Sequence, residues 1–469
     1  MTTFSSVALS PALLDGIAAQ GFDTMTPVQA QSLPPILSGQ DVIAQAATGS
    51  GKTAAFGLGL LQQLTVETPA VQALVLCPTR ELSDQVGQAI RQLAANVANV
   101  KLLTLCGGTP MRGQLASLAH APHIVVGTPG RVLAHLKRES LNSTKLRTLI
   151  LDEADRMLDM GFGEDIDAIV AHLPRKRQTL LFSATWPASI RQVSGRLQRE
   201  PVEITVTDTA DRPVIEQHFY RTKTIDKPEV LAALLCEPND HDHSHADNDA
   251  NPQTLVFCNT RAEVVRVAVH LNRRGFSALA LHGDREQRDR EEVLLRFVNR
   301  SCNVLVATDV AARGLDIAAL PRVVNYDIAG DPDTHIHRIG RTGRAGAAGV
   351  AATLCTPEDM YRAERIMATQ EQSIDWMTAP RSGKAAPATA PMITLVIDGG
   401  RKDKLRAGDI LGALTGDAGL NADRIGIIDT LPTRTYVAIE RCDARVALER
   451  LRHGRIKGRR FRVRELRGN

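Results

Sequence analysis

The segment Gly49-Ser-Gly-Lys-Thr53 constrains this chain more than any other. It follows an apolar run, Asp41-Val-Ile-Ala-Gln-Ala46, that reads as a strand, and it precedes a helix-compatible stretch, Thr53 to Leu61. Glycines at a strand-to-helix turn let successive backbone N–H groups curl toward phosphate oxygens, and the helix N-terminus adds its dipole. Ala46, Ala47 and Thr48 open the loop, Gly49, Ser50 and Gly51 form it, and Lys52 reaches the β and γ phosphates. The Thr53 hydroxyl suits a ligand of Mg²⁺. A hundred residues later, Leu149-Ile-Leu151 runs directly into Asp152-Glu-Ala-Asp155. Carboxylates at the end of an apolar strand sit where ligands bind in open α/β sheets. Asp152 suits the Mg²⁺ shell, and Glu153 suits orienting a water. Loop and carboxylates together predict a nucleotide-hydrolysing site that uses Mg²⁺.

The pattern around these segments predicts the architecture. Short unbroken apolar runs end at polar motifs: Ala73–Cys77 at Pro78-Thr-Arg80, His123–Val126 at Thr128-Pro-Gly-Arg131, and Thr179–Phe182 at Ser183-Ala-Thr185. Such runs, alternating with helical stretches, indicate parallel strands covered on both faces. A second set repeats the arrangement with Thr254–Phe257, Ala278–Leu281, Asn303–Val306 and Arg322–Asn325. It lacks a Gly-Lys-Thr of its own, so it predicts a lobe that closes over the first lobe's nucleotide. The fold class is α/β: two tandem parallel-sheet lobes, residues 1–206 and 214–376, then a linker over 377–390 and a small domain over 391–469. The tract Glu237–Pro252 alternates His with Asp and reads as a flexible polar surface loop, with divalent-metal binding as the other reading.

The small domain reads as βαββαβ, the order of an RNA-recognition motif. Strands fall at Ile393–Ile397, Ile425–Ile428, Thr435–Ile439 and Phe461–Leu466. Helices fall at Ala407–Thr415 and after Asp443, which is placed to cap, with Gly454 at the C-terminal end. Its third strand, Arg434-Thr-Tyr-Val-Ala, offers one aromatic where base-stacking domains carry several. Phosphate and groove contacts by Lys and Arg therefore replace stacking in this reading. The charge supports that. The chain carries +4 overall, but residues 391–469 hold 17 Lys and Arg against 10 Asp and Glu, which leaves the remainder at −3.

Taken in order, the motifs resemble those of the DEAD-box RNA helicases over nearly all of residues 1–355. Asp152-Glu-Ala-Asp155 is the motif that gives the family its name. Gly21 to Gln29 is similar to its adenine-reading Q motif, with Phe4 seventeen residues before Gly21. The resemblance implies that the two lobes are RecA-like and that the chain is an RNA-dependent ATPase. Phe4 and Gln29 would bind ATP with the loop residues, joined by Gly314 and Asp316 from the second lobe. Arg341 and Arg344 would act as arginine fingers beside Lys52, Asp152 and Glu153, and Ser183 and Thr185 would couple hydrolysis to RNA. RNA would be contacted by Arg80, Gly108, Thr128 and Arg131 in the first lobe and by Gln287, Arg290 and Thr308 in the second. In the small domain we expect Lys457 and Arg459 to do so.

Asp398-Gly-Gly400 and Gly408 to Gly416 make the small domain similar to that of the DbpA branch, in which it recognises a hairpin of large-subunit ribosomal RNA. This implies 23S rRNA of the large (50S) subunit precursor as partner. A general DEAD-box role in mRNA turnover or cold adaptation is the alternative, and the last 80 or so residues speak against it. A DNA translocase would not need the full Asp-Glu-Ala-Asp form with an upstream Gln motif, and a non-enzymatic clamp would have lost Glu153 or a finger.

No apolar run approaches the ~18 residues that cross a bilayer, and Met1-Thr-Thr-Phe-Ser carries no basic and apolar leader. The seven scattered cysteines form no Cys-x-x-Cys pair, so the expectation is a reducing, cytoplasmic setting and a monomer without a membrane partner.

Overall fold

The computed structural model describes residues 2–46, 49–186, 188–206, 215–237, 252–284, 286–312, 320–343, 349–369, 375–380, 387, 389–416 and 419–466. The chain divides into two compact units: lobe 1, and a second unit that holds lobe 2 together with the small domain.

Lobe 1 is a seven-stranded sheet of β1 (Val42–Gln45), β2 (Ala73–Leu76), β3 (Leu102–Leu105), β4 (Ile124–Gly127), β5 (Thr148–Leu151), β6 (Gln178–Ser183) and β7 (Val202–Thr205). All pairs are parallel, in the order β3-β4-β2-β5-β6-β1-β7. Side chains alternate across a strand, and both faces are apolar here. Val42, Ala44, Ala73 and Val75 enter one core cluster, while Ile43, Leu74, Leu76 and Leu149 enter the other. This is why the strands carry no polar alternation. Each such valine, leucine or isoleucine, fully buried, stabilises the lobe by about 1.5–3 kcal/mol. The opposite, amino edge is closed by polar side chains. Asp41 accepts from the Thr179 and Arg199 amides at 2.7 and 2.8 Å, and Gln178 donates to the Ile36 and Gln40 carbonyls.

Lobe 2 repeats the design with β8 (Ile215–Arg221), β9 (Thr254–Phe257), β10 (Ala278–Leu281), β11 (Val304–Ala307), β12 (Arg322–Asn325), β13 (Gly349–Cys355) and β14 (Asp375–Thr378), in the order β10-β11-β9-β12-β13-β8-β14. Every pair is parallel. Strand β14 corrects the expected end of the lobe. Met377 and Thr378, read from sequence as linker, pair with Tyr220 and Arg221. An Ala- and Pro-rich stretch hides a strand whose one strong signal is Trp376, which packs edge-on against Phe219 at 5.7 Å beneath Arg221. The far end of the linker is also fixed. Ala390 is buried, its N–H donates to Ser277 Oγ, and its carbonyl accepts from Arg441 Nε. The connector around 207–213 and nearly all of the His/Asp tract lie outside the described residues.

The small domain has the expected βαββαβ order: β15 (Met392–Ile397), helix Ala407–Thr415, β16 (Ile425–Thr430), β17 (Thr435–Glu440), helix Ala444–His453 and β18 (Val463–Glu465). The antiparallel order is β16-β17-β15-β18. Asp443 precedes the second helix without capping it through its side chain. Gly454 ends that helix at φ −78 rather than in the left-handed region. One face of the sheet, with Leu395, Ile397, Val437 and Ile439, packs on the two helices. The other face, Val396, Tyr436 and Leu466, packs against Leu295 on the lobe 2 helix Gln287–Val298.

Polar groups set that docking. Glu292 Oε1 accepts from Tyr436 Oη at 2.8 Å and from Arg434 Nη1 at 3.3 Å, and Arg288 Nε of the same helix lies 3.5 Å away. Asn299 Nδ2 donates to Thr394 Oγ1 at 2.9 Å, and Thr394 Oγ1 donates to Ser301 Oγ. Burial, with the Glu292 hydrogen bond behind it, pushes the Tyr436 phenol well above its usual pKa, so it stays a donor. A buried hydrogen bond to a charged acceptor is worth about 1.5–3 kcal/mol. The Tyr436→Phe variant should weaken docking by that amount while the small domain stays folded. A double-mutant cycle with Glu292→Gln, read by thermal unfolding of the full chain, should show coupling well above the scatter of independent sites.

Candidate active site and nucleic-acid interface

Because all strands of lobe 1 are parallel, every motif that follows a strand emerges on one edge. The sheet order then sorts them. The ends of β5, β6 and β1 lie side by side on one half and carry Asp152, Ser183 and the glycine loop. The ends of β3, β4 and β2 lie on the other half and carry Gly108, Thr128 with Arg131, and Arg80.

In the nucleotide half, Gly49 and Gly51 adopt φ of 85 and 95, a region closed to most side chains. A Cβ at Gly51 would stand 2.4 Å from Gln29 Nε2, so both the turn and the close approach require glycine. Lys52 begins the helix Lys52–Gln62 and donates through Nζ to the Ala46 carbonyl at 2.7 Å. Thr53 follows it at the helix N-terminus, and Ala46 is tied to β6 by its N–H to the Ser183 carbonyl. Ala47 and Thr48 lie outside the described residues.

Gln29 is the third residue of the helix Pro27–Leu37. Its Oε1 accepts from the Thr26 amide at 2.9 Å, and its Nε2 donates to the Gly51 carbonyl at 3.1 Å. A carboxamide has two donor hydrogens and two acceptor lone pairs. One of each is used, and one of each is left for the donor–acceptor edge of adenine. Phe4 is buried in the same apolar cluster as Met25 and Val28, so here its ring is part of the wall rather than an open platform.

Asp152 and Glu153 are both buried. Burial pushes the Asp152 carboxyl up to about 7, against the pull of Lys52. Its Oδ1 accepts from the Glu153 amide at 3.1 Å. Glu153 itself has φ 51 and ψ 52, a left-handed backbone that strains a non-glycine residue by about 1–3 kcal/mol. Its Oε2 faces Arg156 Nη1 at 3.1 Å. A buried, desolvated carboxyl pair beside a lysine fits a hard divalent cation, which Thr53 and Asp152 would hold.

Two residues that the sequence leaves without a role prove central. Asp155 Oδ2 accepts from the Ala184 amide at 3.1 Å, the Thr185 amide at 2.9 Å and Thr185 Oγ1 at 2.8 Å, and its Oδ1 accepts from the Arg156 amide. Ser183 Oγ donates to the Thr185 carbonyl. This clasp joins the end of β5 to the end of β6. In lobe 2 the counterpart is Arg338, only 1% exposed. It grips Asp309 with two nitrogens at 2.6 and 2.7 Å, and donates to the Asp327 carbonyl and to Asn259 Oδ1. One guanidinium thus ties the turns after β9, β11 and β12. Its place in an Arg-rich segment beside His337 does not set it apart from Arg341 and Arg344 in the sequence. Beside it, burial lowers the His335 pKa to about 4, helped by the Arg338 charge. His335 is therefore neutral, and its Nε2 meets Gln217 Oε1 at 3.0 Å.

The half of lobe 1 at the ends of β3, β4 and β2 is open at its loops. Gly108 has φ 77. Arg80 opens the helix Arg80–Leu93 after the Thr79 cap, 3.7 Å from Asp84. Arg131 is held by the Thr109 carbonyl and Gln114 Oε1 at 3.1 and 2.9 Å, and Thr128 precedes the helix Pro129–Lys137.

In lobe 2, Arg290 lies on the helix Gln287–Val298, whose first residue is described by its backbone alone. Thr308 follows β11 and is nearly buried. Arg341 is also buried, and its carbonyl accepts from the Leu320 amide. Gly314, Asp316 and Arg344 lie outside the described residues.

In the small domain Lys457 and Gly458 have φ of 52 and 78, with the Ile456 and Arg459 backbones bonded to each other. That is a two-residue hairpin turn of the type with two positive φ angles. It lifts Lys457 and Arg459 into solvent, although Lys457 Nζ also reaches Asp409 at 3.5 Å.

Comparison with known proteins agrees with this geometry. Residues 26–193 match the DEAD/DEAH box helicase model, 226–346 the helicase conserved C-terminal domain, and 394–465 the DbpA RNA binding domain. The chain is 52% identical over 467 residues to the ATP-dependent RNA helicase DbpA of Escherichia coli, covering 99% of this chain and all of that one. The chain belongs to the DEAD-box RNA helicases, in their DbpA branch. The DEAD-box ATP-dependent RNA helicase CshA of Bacillus cereus is 42% identical over 82% of this chain and 71% of its own. Among solved structures, Saccharomyces cerevisiae Dbp5 bound to RNA and ADP BeF3 superposes with a TM-score of 0.71 at 29% identity, over 81% of this chain and 96% of that one. The protein is therefore an ATP-dependent RNA helicase.

Two substitutions separate the steps of this site. Glu153→Gln keeps a hydrogen-bonding group but no base, so ATP turnover should fall by about 10²–10⁴ while nucleotide binding persists; equal turnover would remove Glu153 from the chemistry. Gln29→Ala deletes the adenine-facing amide and the bond to Gly51, so the ratio of kcat/KM for ATP over GTP should drop toward one, measured by steady-state hydrolysis of each.

Proposed function

We propose that this helicase uses ATP to open short RNA duplexes locally in 23S ribosomal RNA, during assembly of the large (50S) ribosomal subunit. The observation that carries this reading is the small domain: a match to the DbpA RNA binding domain over residues 394–465, a net charge of +7 over residues 391–469, and an exposed basic turn at 455–460. Its sheet face is taken by lobe 2, so RNA must meet the helix-and-loop surface, where Arg455, Lys457, Arg459 and Arg460 are exposed. Such contacts read phosphate and shape rather than stacked bases.

In the ATP site, Lys52 would leave the Ala46 carbonyl for the β and γ phosphates, and Gln29 would read adenine. Thr53 and Asp152 would hold Mg²⁺, which neutralises phosphate charge when bound. Glu153, already buried and fixed by a strained backbone, orients the attacking water. Arg341 and Arg344 of lobe 2 act as fingers on the transferring phosphoryl group. The Asp155 clasp makes any shift at the end of β5 a shift at Ser183-Ala-Thr185, which supports the coupling role of Ser183 and Thr185.

Closing a two-state core from 1:99 to 99:1 needs about 5.5 kcal/mol of differential binding. At roughly 1.4 kcal/mol per stacked step this opens about four base pairs, which suits local, non-processive unwinding. Seven free thiols suit a reducing cytoplasm, and among the described residues no helix is long and apolar enough to cross a membrane.

Removing residues 381–469 tests the targeting. The shortened enzyme should keep RNA-stimulated ATPase activity at high RNA concentration and lose its preference for 23S fragments over unrelated RNA. Undiminished discrimination in a titration of both RNAs would contradict the reading.

A further inference from the structure

The docking of the small domain on lobe 2 encloses a cleft of about 600 Å³. It lies where the start of β10 meets the start of β15, away from the strand ends that carry the motifs. Its walls come from four separate parts of the chain: the end of the helix Arg261–Arg273, the end of the helix Gln287–Val298, the edge strand β10, and the small domain's sheet and the loop after β17. Three guanidinium groups line it, Arg273, Arg296 and Arg441, against one carboxylate, Glu465. Arg273 is exposed, and neither it nor Arg441 has a carboxylate within ion-pair distance among the described residues. The neighbouring Arg274 and His270, by contrast, are both matched by Glu229. Arg441 donates Nε to the Ala390 carbonyl, which fixes its side chain and leaves the outer nitrogens available. Val269, Phe276, Met392 and Ile393 add apolar lining.

Arginine and apolar side chains lining one cleft, in a volume within the range of small-ligand pockets, suit a phosphate joined to a flat hydrophobic body. That is the chemistry of a nucleotide unit, and arginine is the residue best shaped to take its phosphate. The remaining linker does not match the site, since 381–386 is Arg-Ser-Gly-Lys-Ala-Ala and carries the same charge as the lining arginines.

We propose that this cleft binds a single-stranded RNA segment through its phosphodiester backbone, as a contact separate from the motif edges of the two lobes and from the small domain's basic turn. The proposal rests on RNA as the ligand of the family and is independent of which RNA the small domain prefers. It makes the docked pair of lobe 2 and small domain one extended RNA surface, in which a strand leaving a bound hairpin is held at a fixed place.

The test uses the full chain and four fluorescent RNAs: a 23S-derived hairpin and an unrelated hairpin, each with and without a single-stranded tail. The parent and an Arg273→Gln/Arg441→Gln variant are compared by anisotropy across a salt series. The variant should lose about tenfold in affinity for the tailed RNAs. Its log–log salt slope there should shrink by about 1.4, two single-strand phosphate contacts at about 0.7 each. The untailed RNAs should bind as in the parent, and ATP turnover at saturating RNA should be unchanged. Arg273→Glu alone, at an exposed position outside the docking contacts, should give the same tail-specific loss, which separates charge from any loosening around Ala390.

Equal affinity of variant and parent for tailed RNA overturns the proposal, and so does an equal loss on tailed and untailed RNA. A variant that binds tailed RNA normally but no longer binds inorganic phosphate or AMP also overturns it, in favour of a small-anion site. Preference for the 23S hairpin is read from the untailed pair alone, so its failure and failure of the cleft are told apart.

Discussion

Each lobe fastens its working edge with one buried ion, and the placement of the motifs depends on that fastening. In lobe 2 the Arg338 guanidinium, almost without solvent, draws Asp309, the Asp327 carbonyl and Asn259 onto one centre. In lobe 1 the Asp155 carboxylate draws in the Ala184 and Thr185 amides and the Thr185 hydroxyl. A buried charge is costly unless every lone pair or proton is matched. Here each is matched by groups from neighbouring strand ends, so the loops cannot drift independently without exposing an unpaired ion to a low-dielectric interior. Parallel sheets bring the motifs to one edge, and these ions hold them in register there.

The small domain meets a different constraint. A four-stranded sheet with two helices on one face leaves its second face to be covered or wetted. In this protein Val396, Tyr436 and Leu466 cover it against lobe 2, and the single aromatic of the third strand spends its hydroxyl on Glu292. The same observation explains the missing stacking aromatics and the concentration of arginine and lysine in the last 20 residues. With the sheet face occupied, recognition falls to cationic loops.

Much of this was legible in the sequence. The apolar runs of four or five residues gave the strands because both faces of each parallel sheet are buried, so hydrophobicity alone marks them. Gly49, Gly51, Lys52, Asp152 and Glu153 were legible because phosphate chemistry restricts each to few residue types. Strand β14 was not, since an edge strand of four residues beside an Ala- and Pro-rich stretch has little apolar signal beyond Trp376. Asp155 and Arg338 were hidden as well. They act by satisfying backbone and side-chain groups that only the folded sheet brings together, and spacing carries no trace of that. The docking surface was invisible for the same reason: Glu292 on one helix and Tyr436 on a strand 144 residues later become partners only in three dimensions.

The claim that the small domain gives its sheet face to lobe 2 and its loops to RNA is tested most directly by amide hydrogen exchange on the full chain, free and bound to a large-subunit ribosomal hairpin. The account predicts that β15 and β17 are already strongly protected in the free protein and change little. Residues 454–462 should exchange fast when free and slow sharply on binding. Fast exchange of β15 and β17 in the free protein, with protection appearing there when RNA is added, would contradict it.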